Sequence, residues 1–131
     1  VPDIIHVHGW MASLLPVYLK HYYKDEGIFA ETKIISSVYE QGFEGELDKE
    51  FINKVLFDNI EKEAVSDLAS PTFENLMKVS IAHSDAVVAG SEVLSPTLTK
   101  FIESSNKPFL PFGTKENMKE VYPLFIKNQV L

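Results

Sequence analysis

The run at residues 85–89 constrains the fold of this chain more than any other segment. It consists of Asp-Ala-Val-Val-Ala, so four consecutive apolar residues follow one carboxylate. A strand with one face in water alternates polar and apolar side chains, whereas a strand of a parallel sheet is covered on both faces and is apolar throughout. The run therefore predicts a strand of a parallel sheet with elements packed on both of its faces.

The rest of the chain supplies further strands and the helices that would cover them. Strands are predicted at residues 4–8, 33–38 and 107–110, the last a short edge strand ended by Pro111. Apolar spacings of three and four residues predict helices at 11–22 with Pro16 inside, at 47–60, after Ser70-Pro71, after Ser95-Pro96 and from Thr114. Ser70 and Ser95 are expected to be N-caps, each followed by a proline at the first helical position. This order predicts an α/β fold, a Rossmann-like parallel sheet with helices on its faces, as one domain over residues 1–131.

Composition excludes several classes of partner and chemistry. The net charge is −7 and all twelve basic residues are lysines, so nucleic acid is not an expected partner. Without cysteine there is no disulfide, thiolate metal site or cysteine nucleophile. The sequence has no Gly-x-Gly-x-x-Gly, Walker or Gly-x-Ser-x-Gly motif, and no cofactor is expected. No apolar run approaches the roughly 18 residues of a membrane span, so no membrane partner is expected. A cytoplasmic location is also expected and is compatible with the absence of cysteine.

The N-terminal residues already have the pattern of a core strand. They include neither an initiator methionine nor a basic segment followed by an apolar one. A natural domain seldom begins inside its sheet. We therefore expect this chain to be a fragment of a longer protein.

Three loops are expected to meet at one edge of the sheet. Ligands bind beyond the carboxyl ends of parallel strands, where the strand-to-helix loops converge. Here those loops are 8–10, 38–43 and 90–92. Two aromatic residues in these loops, Trp10 and Tyr39, would cover the apolar faces of a sugar. Three polar residues would hydrogen-bond its hydroxyls: Glu40, Gln41 and Ser91. Gly9 is a further candidate sugar-binding residue.

The histidines allow a second interpretation of the same edge. His6 and His8 share a side of one strand, and two such imidazoles can be metal ligands. A third ligand is missing from the pattern, because His21 lies on a helix and His83 at the opposite end of the sheet. We therefore expect no metal. His6 is interpreted as a hydrogen-bonded core histidine, and His8 as either a structural histidine or a ligand contact.

Two segments resemble a known enzyme family. Residues 2–20, PDIIHVHGWMASLLPVYLK, closely resemble the strand, loop and helix of bacterial glycogen synthases and plant starch synthases, glycosyltransferase family 5. The family pattern there is Pro-Asp-[Ile/Val]-[Ile/Val]-His-x-His-Asp-Trp, then a Leu-Pro-x-Tyr-Leu-Lys helix. Residues 80–96, SIAHSDAVVAGSEVLSP, resemble its Ala-Asp-x-[Val/Ile]-x-Thr-Val-Ser-Pro segment. Resemblance is strongest at 2–20 and 80–91.

The resemblance implies a role for this chain in glucan synthesis. The family has a two-lobed GT-B fold and transfers glucose from ADP-glucose to an α-1,4-glucan with retention and without a metal. Its N-terminal lobe chiefly handles the acceptor. The second histidine of its His-x-His lies beside the transferred sugar, and that catalytic role would fall on His8. The implied partner is an α-glucan or maltooligosaccharide, with ADP-glucose only if a donor lobe is present.

Departures from the family pattern limit that role. Gly9 replaces the usual Asp or Asn, and Val38-Tyr39-Glu40 corresponds to the family's Ile-His-Asn. The Lys-Thr-Gly-Gly-Leu loop and the whole C-terminal lobe are missing. We therefore expect an N-terminal lobe that is inactive alone.

Two alternatives stay open at the level of sequence. The first is a non-catalytic structural or regulatory domain that associates with another subunit, including a second copy of itself. The second is a nucleotide-binding module unrelated to sugars, which the missing phosphate loop disfavours.

Overall fold

The computed structural model describes residues 1–23, 26–56 and 60–131. Four parallel strands form one sheet in the order β1-β2-β3-β4. They are β1 (Ile4–His8), β2 (Lys33–Val38), β3 (Ala86–Ala89) and β4 (Phe109–Leu110). The predicted α/β fold, with a parallel sheet flanked by helices, is confirmed. It is consistent with the N-terminal lobe of a GT-B glycosyltransferase.

In the described part of the chain, five α-helices connect and cover the strands: α1 (Leu15–Val17), α2 (Phe51–Val55), α3 (Phe73–Ala82), α4 (Pro96–Ser105) and α5 (Lys115–Phe125). π-Helical segments at Tyr18–Tyr22 and Ile126–Val130 extend α1 and α5. 3-10 helical segments occupy Trp10–Ala12 and Lys62–Ala69. No helix among the described residues is long and apolar enough to cross a membrane.

The helix predicted at 47–60 is much shorter in the structure. Leu47 donates its backbone N–H to the Pro71 carbonyl instead of starting a helix, and Leu56 has an extended backbone. Residues 57–59 of that prediction lie outside the described residues, as does the Tyr22 side chain of the 11–22 stripe. Pro16 falls in the first turn of α1, where its missing N–H costs no hydrogen bond.

The strand register divides the sheet into two faces. The side chains of residues paired on neighbouring parallel strands point to the same side of the sheet. His8, Ser37 and Val88 are paired in this way and therefore share one face. His6 and its partner Ile35, each two residues earlier, lie on the same face. This is the α5 face, because Phe125 and Val130 pack on it in one buried cluster with Ile35 and Val88. The opposite side is the α3 face, where Val38 and Val87 pack against Met77, Ile81, Leu98 and Ile102 of α3 and α4.

Helix caps confirm two sequence predictions and correct a third. The hydroxyls of Ser95 and Thr114 accept the backbone N–H groups of Leu98 and Asn117, as N-caps do. The predicted Ser70 cap with Pro71 at the first helical position is wrong, because Thr72 caps α3. The cause is a long-range contact: Glu46 and Thr72 form an antiparallel bridge that holds Thr72 extended.

Replacing Thr72 tests this corrected cap. The Thr72 hydroxyl accepts the Asn75 N–H at 3.2 Å, so Thr72→Ala should lower the free energy of unfolding by about 1 kcal/mol. Ser70 contributes its backbone carbonyl to Thr72 and Asn75, and alanine keeps that group. Ser70→Ala should therefore change the free energy of unfolding by less than ~0.5 kcal/mol in urea denaturation. A larger loss for Ser70→Ala than for Thr72→Ala would contradict the assignment.

Candidate functional site

A cleft of about 510 Å³ opens between α5 and the carboxyl ends of β1, β2 and β3. The strand ends contribute imidazole, hydroxyl and small apolar groups, and the segment around the start of α5 contributes aromatic, thioether and ammonium groups. The lining residues are His6, His8, Ser37, Tyr39, Val88, Ala89, Gly90, Phe112, Gly113, Lys115, Met118, Lys119 and Tyr122. This is the edge at which the three loops were expected to meet.

His6 forms the floor of the cleft and ties three elements together. Its Nδ1 lies 2.6 Å from the Tyr122 hydroxyl of α5, and its Nε2 lies 2.6 Å from the Ser37 hydroxyl of β2. Burial, reinforced by the neighbouring His8, lowers the pKa of His6 from 6.5 to about 4. At neutral pH the ring therefore has one donor and one acceptor, and the two hydroxyls complete the pair. The side chain is half-buried and hydrogen-bonded, as expected.

His8 lies at the mouth of the cleft. Its ring stacks on His6 with centroids 4.2 Å apart, and its Nδ1 lies 2.8 Å from the Tyr39 hydroxyl. The Tyr39 ring reaches this position by passing over Gly90, where a Cβ atom would lie 2.3 Å from the ring. Glycine at position 90 therefore leaves the space that lets Tyr39 hold His8.

Trp10 lies on the opposite side of the sheet from His8. Gly9 donates its N–H to the Ser37 carbonyl and has a φ of 74°, so the chain turns directly after β1. The indole packs edge-on against Phe43 at 4.8 Å and joins the apolar clusters of the α3 face. It lines a separate cavity of about 150 Å³ with Leu14, Phe51 and Leu76. The structure thus separates an indole and an imidazole that the sequence placed at one cleft.

The remaining predicted site residues flank the cleft. The Glu40 backbone N–H donates to the Ser91 hydroxyl at 2.9 Å, which joins the loop after β2 to the loop after β3. The side chains of Glu40 and Gln41 are exposed. Ser91 therefore fixes the loops that carry Tyr39 and Gly90, and sugar contacts by these three residues stay predictions.

Histidines occur as two separate pairs. The rings of His21 and His83 lie 4.9 Å apart at the amino end of the sheet, where Lys20 also pairs with Asp85. Within the described ranges, no group of three or more His, Cys, Asp or Glu residues is arranged to hold a metal ion.

Sequence reasoning missed the wall that α5 contributes. Lys115, Met118, Lys119 and Tyr122 follow one another at intervals of three, one and three residues, so they share one face of a helix. That spacing was the available signal.

This chain is similar to known starch and glycogen synthases. A family model described as starch synthase catalytic domain matches residues 1–104. Glycogen synthase of Desulfitobacterium hafniense is 30% identical over 102 residues, which cover 78% of this chain and 21% of that protein. Glycogen synthase of Elusimicrobium minutum is 31% identical over 107 residues, 81% of this chain and 21% of that protein. The chain thus spans about a fifth of the length of these relatives.

Helix α5 lies outside the residues that the family model matches. The match to the family model ends at residue 104, and α5 begins at Lys115. The cleft therefore combines strands inside the matched region with a helix beyond it.

His6 should make stability depend on pH. The folded pKa of His6 is about 4 and the ordinary value is 6.5, so the unfolded chain binds more protons between these values. Stability should be fully present above pH 6.5 and fall as pH drops toward 4. His6→Gln removes this titration, so the loss of unfolding free energy from pH 7 to 4.5 should be smaller in the variant. Burial also lowers the pKa of His83, but His83 is present in both the parent protein and the variant, so it does not account for a difference between them.

A direct check uses the unmodified protein. The His6 ring protons should titrate near pH 4 in an NMR pH series. Titration near 6.5 would contradict the burial of this ring between Tyr122 and Ser37.

Proposed function

Because the chain belongs to the starch synthase catalytic domain family, we propose that it is a glycogen synthase-type N-terminal lobe whose cleft beside His8 contacts an α-glucan acceptor. The family reaction transfers glucose from ADP-glucose to a growing α-1,4-glucan. In this proposal the chain supplies acceptor contacts and the position of one catalytic imidazole. The observation that carries it is the open cleft at the strand ends, with His8 at its mouth.

The lining of the cleft suits a carbohydrate. Sugar sites combine apolar surface with a few placed polar groups. Val88, Phe112 and Met118 offer apolar contact to the C–H faces of a sugar ring. The hydroxyl of Tyr39 and the imidazole of His8 offer groups that can both donate and accept hydrogen bonds.

Tyr39 fixes how His8 would meet a sugar. If the Tyr39 hydroxyl donates to Nδ1, Nε2 carries the proton and donates to the ligand. If it accepts from Nδ1–H, Nε2 accepts from the ligand. A sugar hydroxyl matches either state, since it has one donor and two acceptor sites. Nε2 has no hydrogen-bond partner among the described residues, so it is the atom we assign to the sugar.

Glucosyl transfer needs more than these contacts. A transferase gains most of its entropic advantage by holding donor and acceptor together. In this proposal the cleft beside His8 holds the acceptor, so the nucleotide of the donor needs a second site. A partner segment that holds the nucleotide is therefore part of the proposal.

Location and self-association belong to the same proposal. Glycogen synthases act on a cytoplasmic polymer, which favours a cytoplasmic location. Self-association is favoured only by scattered exposed apolar side chains, of which Met11 is 85% exposed and Leu131 67% exposed.

Titration with maltotetraose tests the glucan contact. The His8 ring protons and the Tyr39 and Gly90 amides should shift at millimolar sugar in NMR spectra. Tyr39→Phe keeps the ring over Gly90 and removes only the hydroxyl, so binding should weaken by about two- to tenfold, the value of one hydrogen bond. Tyr23→Phe, outside the cleft, is the control and should bind as the parent chain does. A flat response, or shifts centred on Trp10, would remove the proposal.

An activity assay tests the need for a second reactant site. The 131-residue chain, mixed with ADP-glucose and maltotetraose, should release no ADP above the rate of the buffer. A coupled assay of ADP measures this with an intact glycogen synthase as positive control. Sustained ADP release that His8→Ala abolishes would show that this chain alone transfers glucose.

A further inference from the structure

Three aromatic side chains, Trp10, Phe43 and Phe73, form a row that ends on the α3 face. The Phe43 ring lies edge-on to the indole of Trp10 at 4.8 Å and edge-on to the ring of Phe73 at 6.2 Å. All three residues are half-buried, so part of each ring is accessible to a ligand. This aromatic row is therefore a continuous apolar surface that the function proposed for the cleft does not use.

Two cavities border the aromatic row. The larger has a volume of about 390 Å³ and is lined by Phe43, Gly45, Glu46, Thr72, Phe73 and Glu74. The smaller is the cavity of about 150 Å³ beside Trp10. Met11 lines this smaller cavity and is 85% exposed. A peptide segment that lies along the row can therefore contact both cavities.

Backbone contacts give the larger cavity its shape. Glu46 and Thr72, which lie on opposite walls, are joined by an antiparallel bridge. The backbone of Gly42 approaches the Phe73 ring so closely that a Cβ atom at this position would lie 2.2 Å from the ring. The loop that carries Phe43 is thus packed against Phe73 before any ligand arrives, which lowers the entropy lost on binding.

The larger cavity has only negative formal charges. Its charged lining residues are Glu46 and Glu74, and neither side chain has an ion pair or a hydrogen bond within residues 1–23, 26–56 and 60–131. The partial positive charge at the N-terminus of α3 offsets the Glu74 charge only in part. The adjoining residues 40–50 include five acidic side chains and one lysine. A cation is therefore the favoured ligand of this cavity.

We propose that the aromatic row docks a basic peptide segment of another protein. A cation within about 6 Å of an aromatic face is attracted to the ring, and carboxylates form charge-assisted hydrogen bonds with it. A lysine or arginine side chain of the segment would enter the larger cavity. A neighbouring apolar side chain would cover Met11 and the smaller cavity. A second copy of this chain is the less favourable occupant, because each copy has a net charge of −7.

Peptide docking and sugar binding can fail separately. No residue that lines the two cavities also lines the cleft beside His8. Trp10 is the only tryptophan of the chain, so its fluorescence reports on the aromatic row alone.

Calorimetric titration of the 131-residue chain with capped hexapeptides tests the proposal. The probes are two repeats of Lys-Leu-Gly, of Glu-Leu-Gly and of Lys-Ser-Gly, together with spermine. The Lys-Leu-Gly peptide should bind at least about fivefold more tightly than the other two peptides, because only it offers both a cation and an apolar side chain. Its affinity should fall as salt is added, and the Trp10 emission should shift to the blue as leucine covers the indole.

Three results would overturn the proposal. Equal affinities for the three peptides would remove the chemistry assigned to the occupant. Binding of spermine as tight as that of the Lys-Leu-Gly peptide would indicate an ammonium site without peptide docking. Peptide binding that leaves the Trp10 emission unchanged would place the peptide elsewhere.

Variants separate the two carboxylates from net charge. Glu46→Gln with Glu74→Gln should weaken binding of the Lys-Leu-Gly peptide by about three- to tenfold, the effect of two exposed ion pairs. Glu116→Gln with Glu120→Gln makes the same change in net charge on α5 and should leave binding intact. The control is matched, because Glu74 and Glu116 each lie in the first turn of a helix. Thermal unfolding of both variants checks that they are folded.

Equal losses of affinity in the two double variants would contradict the assignment of the carboxylates. Sedimentation of the chain at increasing concentration tests the alternative occupant. A dimer that the Lys-Leu-Gly peptide dissociates would assign the aromatic row to a second copy of the chain and overturn the proposal.

Discussion

The imidazole of His6, held between two hydroxyls, is the contact on which the cleft depends. It joins Ser37 of β2 to Tyr122 of α5, each at 2.6 Å, and thereby sets the distance between the sheet and the helix. Because side chains alternate along a strand, His8 lies on the same face two residues later. One histidine therefore builds the cleft and the next is left exposed at its mouth, held by Tyr39.

Two glycines determine which aromatic side chains reach the cleft. The positive φ of Gly9 turns the chain so that Trp10 packs on the α3 face, which keeps a bulky indole out of the cleft. Gly90 leaves room for the Tyr39 ring, which would collide with any Cβ there. The lining of the cleft combines apolar side chains with imidazoles and hydroxyls that hydrogen-bond to one another. A sugar would enter a site whose hydrogen-bonding groups are already positioned.

Local patterns in the sequence predicted what local physics decides. The apolar run at 85–89, the Ser95 cap and the start of the last helix at Thr114 depend on neighbours within a few residues, and these predictions are confirmed. Thr72, and not the predicted Ser70, caps α3 because Thr72 forms a β-bridge with Glu46, 26 positions away. The wall from α5 likewise depends on how a distant helix docks on the sheet. The parallel order of the strands predicted the edge of the sheet at which the cleft lies, and only the fold shows which side chains meet there.

The proposed function requires that a sugar ring bind against His8 and Tyr39 on the α5 face. Intermolecular nuclear Overhauser effects between a bound sugar and the protein test it most directly. Contacts are expected from the sugar ring protons to the His8 and Tyr39 rings and to the Met118 methyl group. Contacts to Trp10, Leu14 or Phe51 instead would place the sugar on the α3 face and contradict it.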